Sequence, residues 1–179
     1  MKYVITMISV STVFLIYQNY RQSQRISHLS NSISQVEQAI IPAEPELLPE
    51  GALLPDFNLI NTENKTVSLD KLPQTANKVF VFSAVGCPYC EDYYPQLEKF
   101  VQAHNDIPVI LVQEGASATE NKQFQEDRGY SFEVLAGNDA VFDEFMISGT
   151  PTTIVVDGEN RVLRAGYFNL AKQIEEALL

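Results

Sequence analysis

Two cysteines stand three positions apart in the run Cys87-Pro88-Tyr89-Cys90, and no other residues of the chain point so directly to chemistry. A bridge closing so short a loop removes little entropy from the unfolded chain, and one pair is too few to scaffold a small secreted domain. A purely structural disulfide is weakly motivated, which leaves redox or metal chemistry. Redox exchange needs the two sulfurs in different surroundings. A strand over Lys78–Val85 followed by a helix from about Pro88 provides them, with Cys87 at the helix N-terminus and Cys90 one turn further in. Free backbone N–H groups and the positive dipole end favour a thiolate at Cys87. The shielded Cys90 is placed to resolve a mixed disulfide. Pro88 fits an early helical position, where its missing N–H would have no partner. Glu91 and Asp92 follow at once. They complement the dipole as first-turn acids, and their charge also opposes a thiolate.

A metal-binding chaperone is the alternative reading of the pair. Two thiolates can hold a soft metal, but a tetrahedral site needs further ligands. His28 falls outside the globular region and His104 late in the helix after Cys90, so neither completes a set. No metal and no cofactor are expected. The formal charge of −11 comes with no Lys/Arg cluster, which removes nucleic acid from the partners.

The elements that must position the pair are legible around it. Lys78–Val85 (KVFVFSAV) is a continuous apolar run, the signature of a strand buried on both faces. Pro108–Gln113 is a second such strand, and the intervening helix carries Leu97, Phe100 and Val101. Phe57–Asn61 and Thr66–Leu69 read as short strands around a polar turn. Ser117-Ala118-Thr119-Glu120 has the form of a capping box. A short strand at Glu133–Leu135 and a helix from about Asn138 to Met146 follow. Thr152–Val156 and Val162–Phe168 flank the hairpin signal Asp157-Gly158-Glu159-Asn160, and Asn169 is expected to cap a last helix bearing Leu170, Ile174 and Leu178. That order implies an α/β domain with a mixed sheet covered on both faces.

Ahead of this domain, residues 3–20 carry no charge, and tyrosines at 3, 17 and 20 mark the two ends. A spanning helix needs about 20 residues. Gln18-Asn19-Tyr20-Arg21 is bulky and polar, unlike a signal-peptidase site, so residues 1–20 read as an uncleaved transmembrane anchor in contact with lipid. Ile26, Leu29, Ile33, Val36 and Ile40 form a two-heptad seam. With Ser and Gln around it, the seam fits a helix lying against the membrane or the domain rather better than a dimerising one. Residues 21–50 are thus a helical spacer and an acidic, Pro-rich linker, and the globular domain spans 51–179.

Taken in order, Leu54-Pro-Asp-Phe57, the buried strand into Cys87-Pro-Tyr-Cys90, Pro95, Gly149-Thr-Pro-Thr152, Thr153-Ile-Val-Val-Asp-Gly158 and Gly166 resemble the thioredoxin-fold superfamily. Within it they resemble in particular the membrane-anchored TlpA/ResA/MauD-like thiol-disulfide oxidoreductases, or redoxins. The resemblance implies a three-layer α/β/α thioredoxin-like domain behind the anchor, with Cys87 and Cys90 catalytic. It implies a cis Pro151 facing the disulfide and a Thr150 backbone that pairs with an extended substrate segment. It assigns tuning roles to Pro88, Tyr89 and Glu114, although Glu114 also reads as a solvated loop acid. The implied partners are proteins bearing cysteines or disulfides, such as apocytochromes or disulfide-rich enzyme subunits, and a redox partner that recycles the pair. The implied location is a bacterial cytoplasmic membrane, with the domain on the periplasmic or outer face. Three departures stand out. Val81 occupies the place of the usual buried acid, Gly86 that of the usual tryptophan, and Ala84 that of the threonine peroxiredoxins carry.

Overall fold

The computed structural model describes residue 18 and residues 20–27, 46–74 and 76–179. The chain divides into two compact units, Met1–Pro45 and Glu46–Leu179. In the first, residues 20–27 are helical (α1) and exposed, with Gln24 Nε2 donating to the Tyr20 hydroxyl at 3.1 Å. The expected anchor before Tyr20, apart from Gln18, the seam positions 29–40, His28 and the linker up to Pro45 lie outside the described residues. Among the described residues no helix is long and apolar enough to cross a membrane.

In the second unit, the chain runs β1 (Asn58–Asn61), β2 (Thr66–Ser68), a 3-10 turn (Leu69–Lys71), β3 (Lys78–Ala84), α2 (Pro88–Ala103), β4 (Val109–Glu114) and α3 (Ala118–Arg128). It continues through β5 (Glu133–Ala136), α4 (Asp139–Glu144), β6 (Thr152–Val156), β7 (Val162–Gly166) and α5 (Ala171–Ala177). Seven strands form one sheet in the order β2-β1-β5-β4-β3-β6-β7. The β3, β4 and β5 strands are parallel, and β6 lies antiparallel on the other side of β3. The mixed sheet expected from the element order is therefore present.

The central strand explains the two cores. Side chains alternate along β3, so Phe80 and Phe82 enter one apolar cluster while Val79 and Val81 enter the other. The first cluster is closed by Leu69, Leu72 and the α4 residues Val141 and Phe142, with Phe145 at its end. The second is closed by Cys90, Tyr93, Tyr94, Leu97 and Phe100 of α2 and by Ile174 and Ala177 of α5. Those α2 positions recur at helical spacing and form one buried stripe.

Local capping follows the sequence at two helices and departs from it at a third. Ser117 and Glu120 form the reciprocal capping box at α3, and Asn138 caps α4 through Val141 N–H. The α4 helix ends at Glu144, short of Met146. Asn169 does not cap the last helix, which starts one residue later with Leu170 at the cap position. Gln173 reaches back and accepts the Asn169 and Leu170 N–H groups at 2.9 and 3.0 Å, so the free donors are met from inside the helix.

Lys78, which opens the buried strand, is itself fully buried. Its ammonium donates to the carbonyls of Pro73, Ala76 and Asp157 at 2.8, 3.1 and 3.4 Å, and burial pushes its pKa down. Replacing Lys78→Met keeps the apolar stem and strands those carbonyls. The expected loss is about 1–3 kcal/mol of stability, read as a lower urea midpoint at unchanged slope.

Candidate functional site

The centre of the sheet ends in the cysteine pair. After Ala84 the chain turns, with Cys87 N–H donating to the Ala84 carbonyl at 3.2 Å, and α2 starts at Pro88. Gly86 makes that turn at φ 79°, a conformation that strains a residue with a Cβ. A tryptophan there would not suit this backbone. Cys87 occupies the helix N-cap, and its sulfur accepts the Cys90 backbone N–H at 3.2 Å. The same N–H would stabilise a thiolate in the reduced protein.

The two sulfurs are joined as a disulfide, with the Cα atoms 5.3 Å apart. Cys87 is half-buried, whereas Cys90 is fully buried in the apolar cluster. Cys87 can therefore be reached by another molecule, and Cys90 by Cys87. Pro88 and Tyr89 are exposed at the rim, Tyr89 at 74 %.

The loop before β6 completes the face. The Thr150–Pro151 peptide is cis, and the Thr150 carbonyl oxygen lies 3.6 Å from Cys87 Sγ. Thr150, next to Pro151, is thus brought to the disulfide from 63 residues away in sequence. Glu114, at the end of β4 and paired in register with Ala84, is brought near as well. It does not touch the sulfurs but lines an open groove of about 410 Å³ with Ala84, Asp139, Phe142, Asp143 and Thr150. The acids Asp139 and Asp143 carried no sequence signal for this groove, because the turn before α4 alone decides where they lie.

The carboxylates after the pair have a counter-charge that local sequence did not reveal. Arg128, the last residue of α3, meets Glu91 at 2.9 Å, and that neighbour raises the guanidinium pKa. Asp92 is exposed on the same helix. Val81, in the position expected of a buried acid, is fully buried and faces Thr153 across β6. The Thr153 hydroxyl instead pairs with Tyr93 at 3.1 Å, and burial drives the Tyr93 pKa up, so that phenol stays protonated. His104 stacks on Phe100 and meets Glu175 at 3.3 Å, well along α2 from the cysteines.

Comparison with known proteins agrees with this geometry. A family described as the AhpC/TSA family matches residues 51–165. Among solved structures, the thioredoxin domain of a thiol-disulfide oxidoreductase from Bacteroides vulgatus superposes at TM-score 0.64 with 21 % identity, covering 72 % of this chain and 97 % of that one. A thio-disulfide isomerase from Thermus thermophilus gives 0.60 at 24 %, covering 74 % and 95 %. A DsbF homologue from Corynebacterium diphtheriae gives 0.65 at 17 %, covering 77 % and 94 %. These likenesses establish the thioredoxin-like fold. No curated protein sequence matches the chain.

Two outcomes follow from the geometry. In the reduced protein, iodoacetamide is expected to alkylate Cys87 at least about tenfold faster than Cys90, read by peptide mass spectrometry, because only one sulfur reaches solvent. Equal labelling would contradict the assignment. Thiolate absorbance should titrate at higher pH in Arg128→Ala, where Glu91 is left uncompensated, and at lower pH in Glu91→Gln, where Arg128 is left free.

Proposed function

The chain belongs to the AhpC/TSA family, and from that premise we propose that it is a protein thiol-disulfide oxidoreductase working through Cys87 and Cys90. The observation that carries the reading is the asymmetric pair: one half-buried sulfur at a helix N-terminus beside the Thr150 carbonyl, and one sealed sulfur a turn behind it. In the reducing direction, the Cys87 thiolate attacks a substrate disulfide and forms a mixed disulfide. Cys90 then attacks Cys87, releasing the substrate thiol and leaving the intramolecular disulfide. The reverse sequence oxidises a substrate. Thr150 and Pro151 would bind the substrate chain as an added extended segment along the groove. Pro88, Tyr89 and Glu114 would tune the exchange from the rim.

The same reading includes the TlpA/ResA/MauD-like arrangement. Residues 3–20 would anchor the protein in a bacterial cytoplasmic membrane, with the domain in the periplasm or outside. Its targets would be apocytochromes or disulfide-rich subunits under maturation, and a second redox protein would recycle the pair. The uncharged N-terminal stretch and the ordered motifs support this. Peroxide reduction by Cys87 fits less well, since Ala84 offers no hydroxyl where peroxiredoxins carry threonine.

A Cys90→Ser variant is expected to accumulate mixed disulfides with its targets in the native host, visible as reducible adducts on non-reducing gels. A Cys87→Ser variant should form none and fall to the uncatalysed background in disulfide reduction. If both variants keep wild-type turnover, the assignment is wrong.

A further inference from the structure

On β3, β4 and α3, three buried side chains carry polar atoms without hydrogen-bond partners. Ser83 and Asn121 are fully buried and Gln113 is 6 % exposed. Ser83 Oγ, Gln113 Oε1 and both amide atoms of Asn121 are unpaired. Each such group left dry costs about 1–3 kcal/mol, so several together call for something that satisfies them. Buried donors and acceptors of this kind are what internal water meets with its two to four hydrogen bonds.

The three residues converge from three elements. Ser83 and Gln113 are register partners on β3 and β4, and the alternation along these strands puts both on the face of Val79, Val81, Val109 and Leu111. Tyr94 of α2 comes down on Ser83, whose hydroxyl opposes the rise that burial gives the Tyr94 pKa. Normal hydrogen-bond geometry is nevertheless unmet at Ser83 Oγ. Tyr94 also meets Phe124 of α3 edge-on at 5.1 Å, and Asn121 is one turn before Phe124 on the buried side of that helix. Cys90 stands one turn before Tyr94 on the buried stripe of α2.

The resolving sulfur needs a route for its proton, and no carboxylate is buried with it. Apart from Lys78, buried at the opposite end of β3, the charged groups facing this region are Glu91 and Asp92 on the outside of α2, Glu120, Lys122 and Arg128 on α3, Glu114 at the end of β4, and Asp139 and Asp143 across the groove. All of them are exposed or half-exposed. Tyr93 is held protonated and occupied by Thr153. We infer that Ser83, Gln113 and Asn121 bind ordered water behind Cys90, and that this water carries the resolving proton to solvent. The inference rests on the disulfide-exchange reading above. In that step the Cys90 S–H bond breaks and its proton passes to the water. The Cys90–Cys87 bond forms as the Cys87–substrate bond breaks, and the departing substrate thiolate takes up a proton. The substrate disulfide is the oxidant, so no other is required.

Stopped-flow reaction of the reduced protein with an aromatic disulfide that releases a coloured thiol separates the two steps. The first release reports Cys87 attack and the second reports closure by Cys90. In Gln113→Leu/Asn121→Leu the first phase should keep its rate, while closure slows about tenfold and its pH midpoint moves up. Absence of a second release in the wild type would instead sink the disulfide-exchange reading. Unchanged closure, or equal slowing of both phases, would overturn the water relay alone. If the double variant does not fold, a high-resolution crystal structure of the wild-type protein decides: water within hydrogen-bond distance of Gln113 Oε1 and the Asn121 amide is expected, and a dry contact overturns the inference.

Discussion

Everything at the redox face depends on β3 being buried on both sides and hydrogen-bonded on both edges. A strand held between β4 and β6 and packed above and below has no freedom to slide, because a one-residue slip would move Phe80 and Phe82 out of one core and Val79 and Val81 out of the other. Its C-terminal end is therefore a fixed point. The turn through Gly86 converts that fixed strand end into a fixed helix start, and Cys87 inherits its place from both.

The same rigidity explains how two chemically identical thiols acquire different characters. The first turn of α2 exposes one edge of Cys87 and offers it a backbone N–H, while the next inward position drops Cys90 into the cluster with Val81 and Tyr93. In the reduced protein, burial would disfavour a thiolate at Cys90 and the helix terminus would favour one at Cys87. The sheet thus separates a reachable sulfur from a sealed one by geometry rather than by residue type. Charge on the rim is moderated from another element, since Arg128 of α3 meets Glu91 of α2.

Much of this was readable from local pattern. The continuous apolar run of β3 and the capping box of α3 are short-range features whose physics lies within a few residues. The last helix shows where such reading slips. Asn169 is a good cap by type, but Gln173 reaches both free N–H groups from the N3 position, so the helix starts a residue later. Lys78 also stood in plain sight as a charged residue opening a strand. Its burial could not be read locally, because two of its carbonyl partners sit in the preceding loop and the third comes from Asp157 at the end of β6.

By itself the sequence determined the cysteine pair, the helix that starts on it and the succession of strands along the chain, because spacing, capping and hydrophobic period act over a handful of residues. Only the tertiary structure decided what surrounds the pair. Sheet order carries the Thr150 carbonyl to the Cys87 sulfur, packing brings Arg128 to Glu91, and strand register sets Ser83 beside Gln113. Those encounters join residues distant along the chain, and nothing in a local stretch encodes which distant partner the fold will deliver.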